Sequence, residues 1–345
     1  MHIKPMWILV VLSVVVSPVF AAFVPLPDVD RLTQASTLIV VGELTSVQQN
    51  IRNTTLDFNN SRINGRVQRG TFRIEQVLKG DSQSPSFTFE FAVPDRFVGW
   101  SVPPEHAYGL FFFKETGGTL GFTDVYHTWI PAAPGINVTA DTPLERVVRT
   151  LGEVISIPDS SREMKQTALY YLEFGKSDAS ASALRAVLTN ADPIVGVSAA
   201  AMLMLRGDAS GMEVIKRVFL PGPQSLPNRL EETVPNAIGI GIRDPKLIPD
   251  LEELLSSSSR YMRRGVVMAL MQTGSRDALN GLHRALGDVD AEIRYYGVLG
   301  AARITRDAAM TPSMEQFKAD EIKYLSYWSQ RLTQQKLPTS PRNQK

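Results

Sequence analysis

Beyond residue 160 the sequence repeats itself. Aligned on Met164, Val195, Glu231, Met262 and Ile293, successive units are spaced by 31, 36, 31 and 31 residues. The long spacing coincides with "LPGPQSLPN" (220–228), whose prolines cannot continue a helix and mark an insertion in a loop. Three positions late in each unit fix the register: Leu184, Val187 and Leu188, then Ile215, Val218 and Phe219, then Leu251, Leu254 and Leu255, then Leu282, Ala285 and Leu286. All are apolar, and their i, i+3, i+4 spacing is one face of a helix. Each unit therefore reads as a helical hairpin too small to bury its own apolar faces, so it has to stack on its neighbours.

Stacking accounts for "MRRGVVMALMQTG" (262–274), which is apolar on nearly every side after Arg264 yet carries Gly265 in a run of helix formers. A helix inside a stack is covered on several sides. Gly265 and Ala269, with Gly297 and Gly300 one unit on, permit close approach of neighbouring helices, at about 1 kcal/mol of helix propensity for each glycine. This segment and "LGDVDAEIRYYGVLGAARIT" resemble HEAT-like repeats of the short bacterial kind, an α-solenoid family, over about 145 residues. The third unit has Pro235 where others have Ala168, Ala199 or Val266, so its first helix is expected to start late or kink. After the fifth start the stripe weakens at Ser313 and Gln316. One longer amphipathic helix, "MEQFKADEIKYLSYWSQRL" (314–332), is expected to cap the stack with Phe317, Leu325, Trp328 and Leu332 on one side.

From about Phe23 to Ala140 the period is two. "TLIVVGELTSV" (37–47), "GTFRIEQVLKG" (70–80), "SFTFEFAV" (86–93), "YGLFFFKE" (108–115) and "GTLGFTDV" (118–125) read as strands, the last entered through a Gly117-Gly118 hairpin turn. "IRNTTLDFNNSRING" (51–65) reads as a long polar loop. A "VVGELTSV" strand, then "FRIEQVLKG" ending in Lys79-Gly80-Asp81, then an alternating aromatic strand and "YGLFFF", resembles the netrin or TIMP-like domains of exported bacterial proteins. That resemblance implies an OB-type five-stranded barrel. The zinc-blocking inhibition known in that family needs an N-terminal cysteine, and this chain has none.

The expected architecture is thus two-domain: an all-β OB-like barrel (23–140), then an all-α HEAT-like solenoid (142–312) with a C-terminal capping helix (313–336) and a disordered tail (337–345). Ahead of these, Lys4, the apolar run Met6 to Val16 and Ser17-Pro18 before Val19-Phe20-Ala21 have the zones of a secretory signal peptide, 1–21, cleaved after Ala21. The apolar run is short against the roughly 20 residues needed to span a bilayer. The absence of cysteine excludes disulfides and thiolate chemistry, and export without disulfides suits a periplasm or bacterial envelope. The expected location is therefore secreted or periplasmic, soluble after cleavage.

Charge gives no nucleic-acid footprint: 36 basic residues face 35 acidic ones, a net +1. Arg62, Arg66, Arg69 and Arg73 could line a single-strand groove on a barrel, but residues 22–140 hold nine basic against eleven acidic residues, and the solvent face of a strand is the plainer place for them. No HExxH, GxSxG, P-loop or dinucleotide fingerprint is present, so no cofactor, metal or catalytic residue is expected. The competing reading is an enzyme or polysaccharide binder using barrel loops near Trp100, His106, His127 and Trp129. In the repeats, Arg263 and Arg294 occupy one register position, where an Arg opening a helix would bond a loop acid, Asp288 or Asp290 with Arg294. The second helices carry Arg185, Lys216, Arg217, Glu252, Glu253, His283 and Arg284 between their apolar positions. The HEAT resemblance puts such residues along a groove for a protein or peptide partner in the cell envelope; a plain solvated face is the alternative.

Overall fold

The computed structural model describes residues 26–58, 61–95, 100–222 and 226–334. The expected signal segment (1–21), the tail (337–345) and the last two residues assigned to the cap lie outside the described residues. Among the described residues six strands form one antiparallel sheet: β1 (Leu38–Phe58), β2 (Ser61–Lys79), β3 (Ser86–Pro94), β4 (Tyr108–Thr116), β5 (Thr119–Phe122) and β6 (Trp129–Pro131). Their order is β3-β2-β1-β4-β5, with β6 paired to β4. The fourth strand returning beside the first is a Greek-key arrangement, as in partly open OB-type barrels. The sheet curls until its two edges meet through aromatic rings, Phe122 lying 5.0 Å from Phe89 and 5.1 Å from Phe91 between ring centroids. At the β4–β5 turn Gly117 and Gly118 both have positive φ (59° and 78°), the conformation a two-residue type I′ hairpin demands.

The runs "LIVV" and "LFFF" do not alternate because both faces of β1 and β4 are buried. Val40, Leu44, Phe72, Phe89, Phe111 and Phe113 fill the inside of the curl. Ile39, Val41, Leu78, Leu110, Phe112 and Ile130 point the other way and pack against helices.

Two parts of this region depart from the sequence reading. The expected loop at 51–65 is a β-arm: β1 and β2 continue pairing from Arg52↔Val67 to Phe58↔Ser61, beyond a register shift at which Asn50 has φ 56°. Both arm faces are largely solvated, so the hydrophobic alternation that signals a strand is missing, while Thr54, Thr55 and Ile63 still suit the pleat. The chain also forms a short helix, α1 (Val29–Ala35), capped by Asp28, with Val29 and Leu32 in the core. Seven residues are too few for a helical period to stand out.

Among the described residues twelve α-helices follow. α2 (Pro143–Ser156) opens on a capping box between Thr142 and Glu145. Five hairpins then stack: α3 (Arg162–Phe174) with α4 (Asp178–Ala186), α5 (Pro193–Leu205) with α6 (Met212–Phe219), α7 (Asn228–Gly241) with α8 (Ile248–Leu254), α9 (Arg260–Thr273) with α10 (Leu279–Ala285), and α11 (Ala291–Thr305) with α12 (Met314–Ala319). α13 (Glu321–Gln334) closes the array. Of the twelve stripe positions ten are buried, and Leu188 and Val218 are half-buried, so the register holds. α9 is enclosed by α7, α8, α10 and α11, which explains its apolar circumference. It ends on Gly274 at φ 63°, a left-handed cap.

Two expectations about helix ends are corrected. α7 does not start late: it begins at Asn228 and runs through Pro235 to Gly241. Pro235 is buried against α9, where a Cβ on Gly265 would lie 2.2 Å from the Pro235 carbonyl oxygen, and this packing offsets a proline cost of about 3 kcal/mol. The single capping helix over 314–332 is two. Asp320 (φ −147°, ψ 59°) interrupts it, with its Oδ1 accepting from the Lys323 N–H at 3.4 Å. α12 thereby becomes the second helix of the fifth hairpin, with Phe317 regaining the last stripe position, and α13 alone is the cap, with Trp328 and Leu332 fully buried.

Sheet and helices share their interior. The outer face of the sheet packs with α1 to α5, and α5 contributes Val195, Ala199 and Leu203 to that cluster and Val197, Ala200 and Met204 to the one running on to α13. Asp30 on α1 adds a polar tie: its carboxylate accepts from the N–H groups of Lys176 (2.6 Å) and Ser177 (2.7 Å) and from the hydroxyls of Ser177 (3.1 Å) and Ser180 (3.3 Å). No helix among the described residues is long and apolar enough to cross a membrane. Leu282, fully buried, and Arg284, exposed, test these helix faces. Urea denaturation should show Leu282→Ala costing about 2–5 kcal/mol and Arg284→Ala below about 1 kcal/mol; equal small effects would mean the faces are misassigned.

Candidate functional site

The second helices place the seven candidate groove residues on one side of the stack, between buried stripe positions. Most of their charge is spent on neighbouring units. Arg185 holds Asp208 in the next loop through Nη2 (2.5 Å) and Nε (2.8 Å). Burial would raise the Asp208 carboxyl, but hydrogen bonds from Ser210 and Arg185 outweigh it and keep it below its ordinary value. Lys216 on α6 sits among Glu213 (2.8 Å), Asp250 (2.9 Å) and Glu253 (3.0 Å), the last two on α8, and these carboxylates, Glu213 foremost, raise its pKa above the usual lysine value. Arg284 on α10 donates to the Glu252 carbonyl at 2.9 Å, while the Glu252 carboxylate accepts from Asn280. Arg217, exposed, and His283, half-buried, make no hydrogen bond or ion pair among the described residues. The ridge is therefore a ladder of inter-unit ties carrying a few outward groups.

The repeated arginines form a second ladder. Arg263 Nη1 donates to the carbonyls of Ser257 (3.0 Å) and Ser258 (3.1 Å) in the loop before its own helix, while Nε and Nη2 hold both Asp288 oxygens at 2.7 and 3.1 Å. Arg294 repeats this one unit later: Nη1 donates to the carbonyls of Asp288 (2.8 Å) and Val289 (3.0 Å), and Nε meets Glu321. The expected bond of Arg294 to Asp288 is made, but to the backbone carbonyl; its carboxylate partner is Glu321 in place of Asp288 or Asp290. Asp288 faces the arginine of the preceding unit, and Asp290 caps α11 and lies 3.7 Å from Arg260. A guanidinium offers five donors, enough to grip the loop behind and the acid ahead at once, so each arginine clamps two consecutive units.

In the barrel region the four residues of the competing reading do not form one site. His106, with φ 66°, precedes β4 and lies 3.1 Å from Glu43, which also takes Arg73; these two partners, Arg73 first, hold the Glu43 carboxyl below its ordinary value. His127, 6% exposed, sits toward the other end of β4, with Nδ1 3.2 Å from the Tyr171 hydroxyl on α3. Trp129 stacks on Phe111 at 5.7 Å, and Trp100 lines a cleft of about 210 Å³ with Leu56, Phe91 and Phe122. The row of strand arginines is paired: Arg62 with Asp57, Arg66 with Asp95, Arg69 and Arg52 with Glu90, and Arg73 with Glu43. No group of three or more His, Asp or Glu side chains with metal-binding geometry occurs among the described residues.

A family model for HEAT repeats matches residues 231–299, from the start of the third unit into α11. No curated protein matches the chain.

Burial would raise the Asp288 carboxyl, but the Arg263 hydrogen bonds, the Asp290 N–H and the nearby Arg263 and Arg294 charges outweigh it, leaving it below its ordinary 3.8. A depressed carboxyl stabilises the fold above its unfolded pKa and loses that contribution as pH falls through the folded value. Arg263→Met should therefore cost about 2–4 kcal/mol at neutral pH, and its gap from wild type should narrow below about pH 4. Chemical denaturation across that range is the measurement; a gap independent of pH would exclude the ion pair as its source.

Proposed function

We propose that this chain is an exported, non-catalytic scaffold of the bacterial cell envelope that binds a partner protein or peptide through its helical repeats. The observation that carries the reading is the uninterrupted stack of five hairpins, part of which matches the HEAT-repeat model. HEAT repeats suggest a helical scaffold for protein interaction, because such an array offers an extended, rigid surface. The inter-unit ties fix that surface and so limit the ordering cost of binding. The outward guanidinium groups of Arg217 and Arg284 supply charge for recognition, and His283 a polar ring, without weakening the core. The apolar run after Lys4 and the absence of cysteine support the envelope location.

Two measurements test this. Expressed with its own N-terminus in a bacterial host, the protein should be recovered from the envelope or periplasmic fraction with Ala22 as first residue; an unprocessed cytoplasmic chain would remove the location. Affinity-tagged full-length protein should retain a partner from envelope extract, and Arg217→Glu with Arg284→Glu should weaken retention by about tenfold or more with the circular-dichroism spectrum unchanged. Retention indifferent to both reversals would reject the second-helix face as the binding surface.

A further inference from the structure

The loops preceding α3 and α9 occupy the same register and are built alike. Ser161 and Ser259 cap the two helices. Arg162 reaches Asp192 at 3.4 Å as Arg260 reaches Asp290 at 3.7 Å. Asn190 Oδ1 accepts from the Asp192 N–H at 3.0 Å as Asp288 Oδ1 accepts from the Asp290 N–H at 2.9 Å. At the clamping position Lys165 stands where the later unit has Arg263, and its Nζ turns back on the preceding loop at the Pro158 carbonyl, 3.4 Å away.

The two sites differ in what neutralises the cation. Asp288 gives Arg263 two carboxylate oxygens. Its counterpart Asn190 is an amide, and its Nδ2 is turned to the Ile155 carbonyl at 3.0 Å. Lys165 is only 8% exposed, yet no carboxylate lies within ion-pair distance of it among the described residues, and a single long hydrogen bond uses one of its three donors. Beside it Ser160, 7% exposed, has a buried hydroxyl with no hydrogen-bond partner among the described residues. Lys165 and Ser160 line a cleft of about 580 Å³ with Pro158, Arg162, Asn190 and Asp192. Asp192 is already committed to the Ile194 N–H and to Arg162. A buried ammonium without a counter-charge is unfavourable, and here the repeat itself indicates which group is missing. The N-terminus of α3, thirteen residues long, adds its positive end to the same place.

We propose that this cleft binds a carboxylate from outside the chain, a side chain or C-terminus of an acidic peptide, which takes against Lys165 the place that Asp288 takes against Arg263. This rests on the reading of the repeats as a protein-binding scaffold and names the chemistry of one contact. The ligand carboxylate accepts from Lys165 Nζ, and rotation of Ser160 about its Cα–Cβ bond adds a hydroxyl donor.

The test is calorimetric titration of the full-length protein with acetyl-tetraglutamate amide, and separately with inorganic phosphate. The wild type should bind the peptide in a salt-sensitive manner, and Lys165→Met should weaken binding by about tenfold or more. Asn190→Asp supplies the carboxylate internally, so it should abolish peptide binding while raising the melting temperature, a readout that a misfolded variant could not produce. Peptide binding unchanged in Asn190→Asp or Lys165→Met, absence of peptide binding by the wild type, or binding of phosphate alone would overturn the proposal. The scaffold reading fails separately, if wild-type protein retains nothing from envelope extract.

Discussion

A stack of helical hairpins buries its interior only by pressing each unit against the next, and so it leaves an apolar face at each end. The whole architecture depends on how those two ends are closed. At the C-terminal end α13 lays Trp328 and Leu332 over the last hairpin. At the N-terminal end the closing surface is the outside of the curled sheet, joined by α1 and α2, with Phe112, Leu110, Ile130 and Ile39 set against Leu151, Leu169 and Leu172. The β region is therefore also the first cap of the repeats. β1 and β4 serve two cores at once, an aromatic one inside the curl and an aliphatic one against the helices, which requires apolar residues at successive positions. Asp30 holds the seam by accepting from the backbone N–H groups of Lys176 and Ser177 in the first hairpin's turn.

Within the stack, apolar burial gives attraction but little register, since one oily helix face resembles another. Register comes from directional contacts repeated at fixed positions. The close approach of Gly265 to the Pro235 carbonyl admits no side chain and so sets the distance between α7 and α9. The arginine clamps and the Lys216 cluster then align units laterally, each joining groups separated by about one repeat in sequence. Single exposed ion pairs add little to stability, but Arg263 and Asp288, with side chains 13% and 11% exposed, are screened less and held by two parallel hydrogen bonds.

What could be read from the sequence divides along physical lines. The repeat was legible because burial imposes one apolar pattern on every unit, and Leu184, Ile215, Leu251 and Leu282 are all fully buried. The strands were legible where alternation or aromatic runs reported a core. The arm over 51–65 was not, since a ladder whose two faces meet water is held by backbone hydrogen bonds that leave no hydrophobic trace. The break at Asp320 was hidden because an Asp inside a helical pattern costs little, and it shows only in the non-helical backbone of that residue. Charged partners were the hardest to foresee. The candidate ridge positions lie where the repeat places them, but Asp250 and Glu253, a full unit away, help decide that Lys216 faces carboxylates and not solvent, and the arginine ladder grips the acid of the next unit as well as its own loop.

A regular array also makes its exceptions informative. Against the arginine clamps of the fourth and fifth units, a residue that departs from the pattern without local compensation points to a demand other than stacking. Pro235 is compensated, because the carbonyl it presents is matched by Gly265. Gly196 stands in the arginine position of the second unit and leaves no charge behind; a side chain there would come within 2.9 Å of the Leu188 carbonyl oxygen, so close packing explains it. Asn190 is different. It keeps the loop-capping half of the role that Asp288 performs and drops the half that neutralises a cation, while Lys165 remains in place and buried. If stacking were the only demand on that position, an aspartate would serve it better, since it would cap the same loop and pair the lysine as well. The first hairpin, next to the sheet, is thus a place where the repeat's own geometry leaves a buried cation prepared for a group that the described residues do not provide.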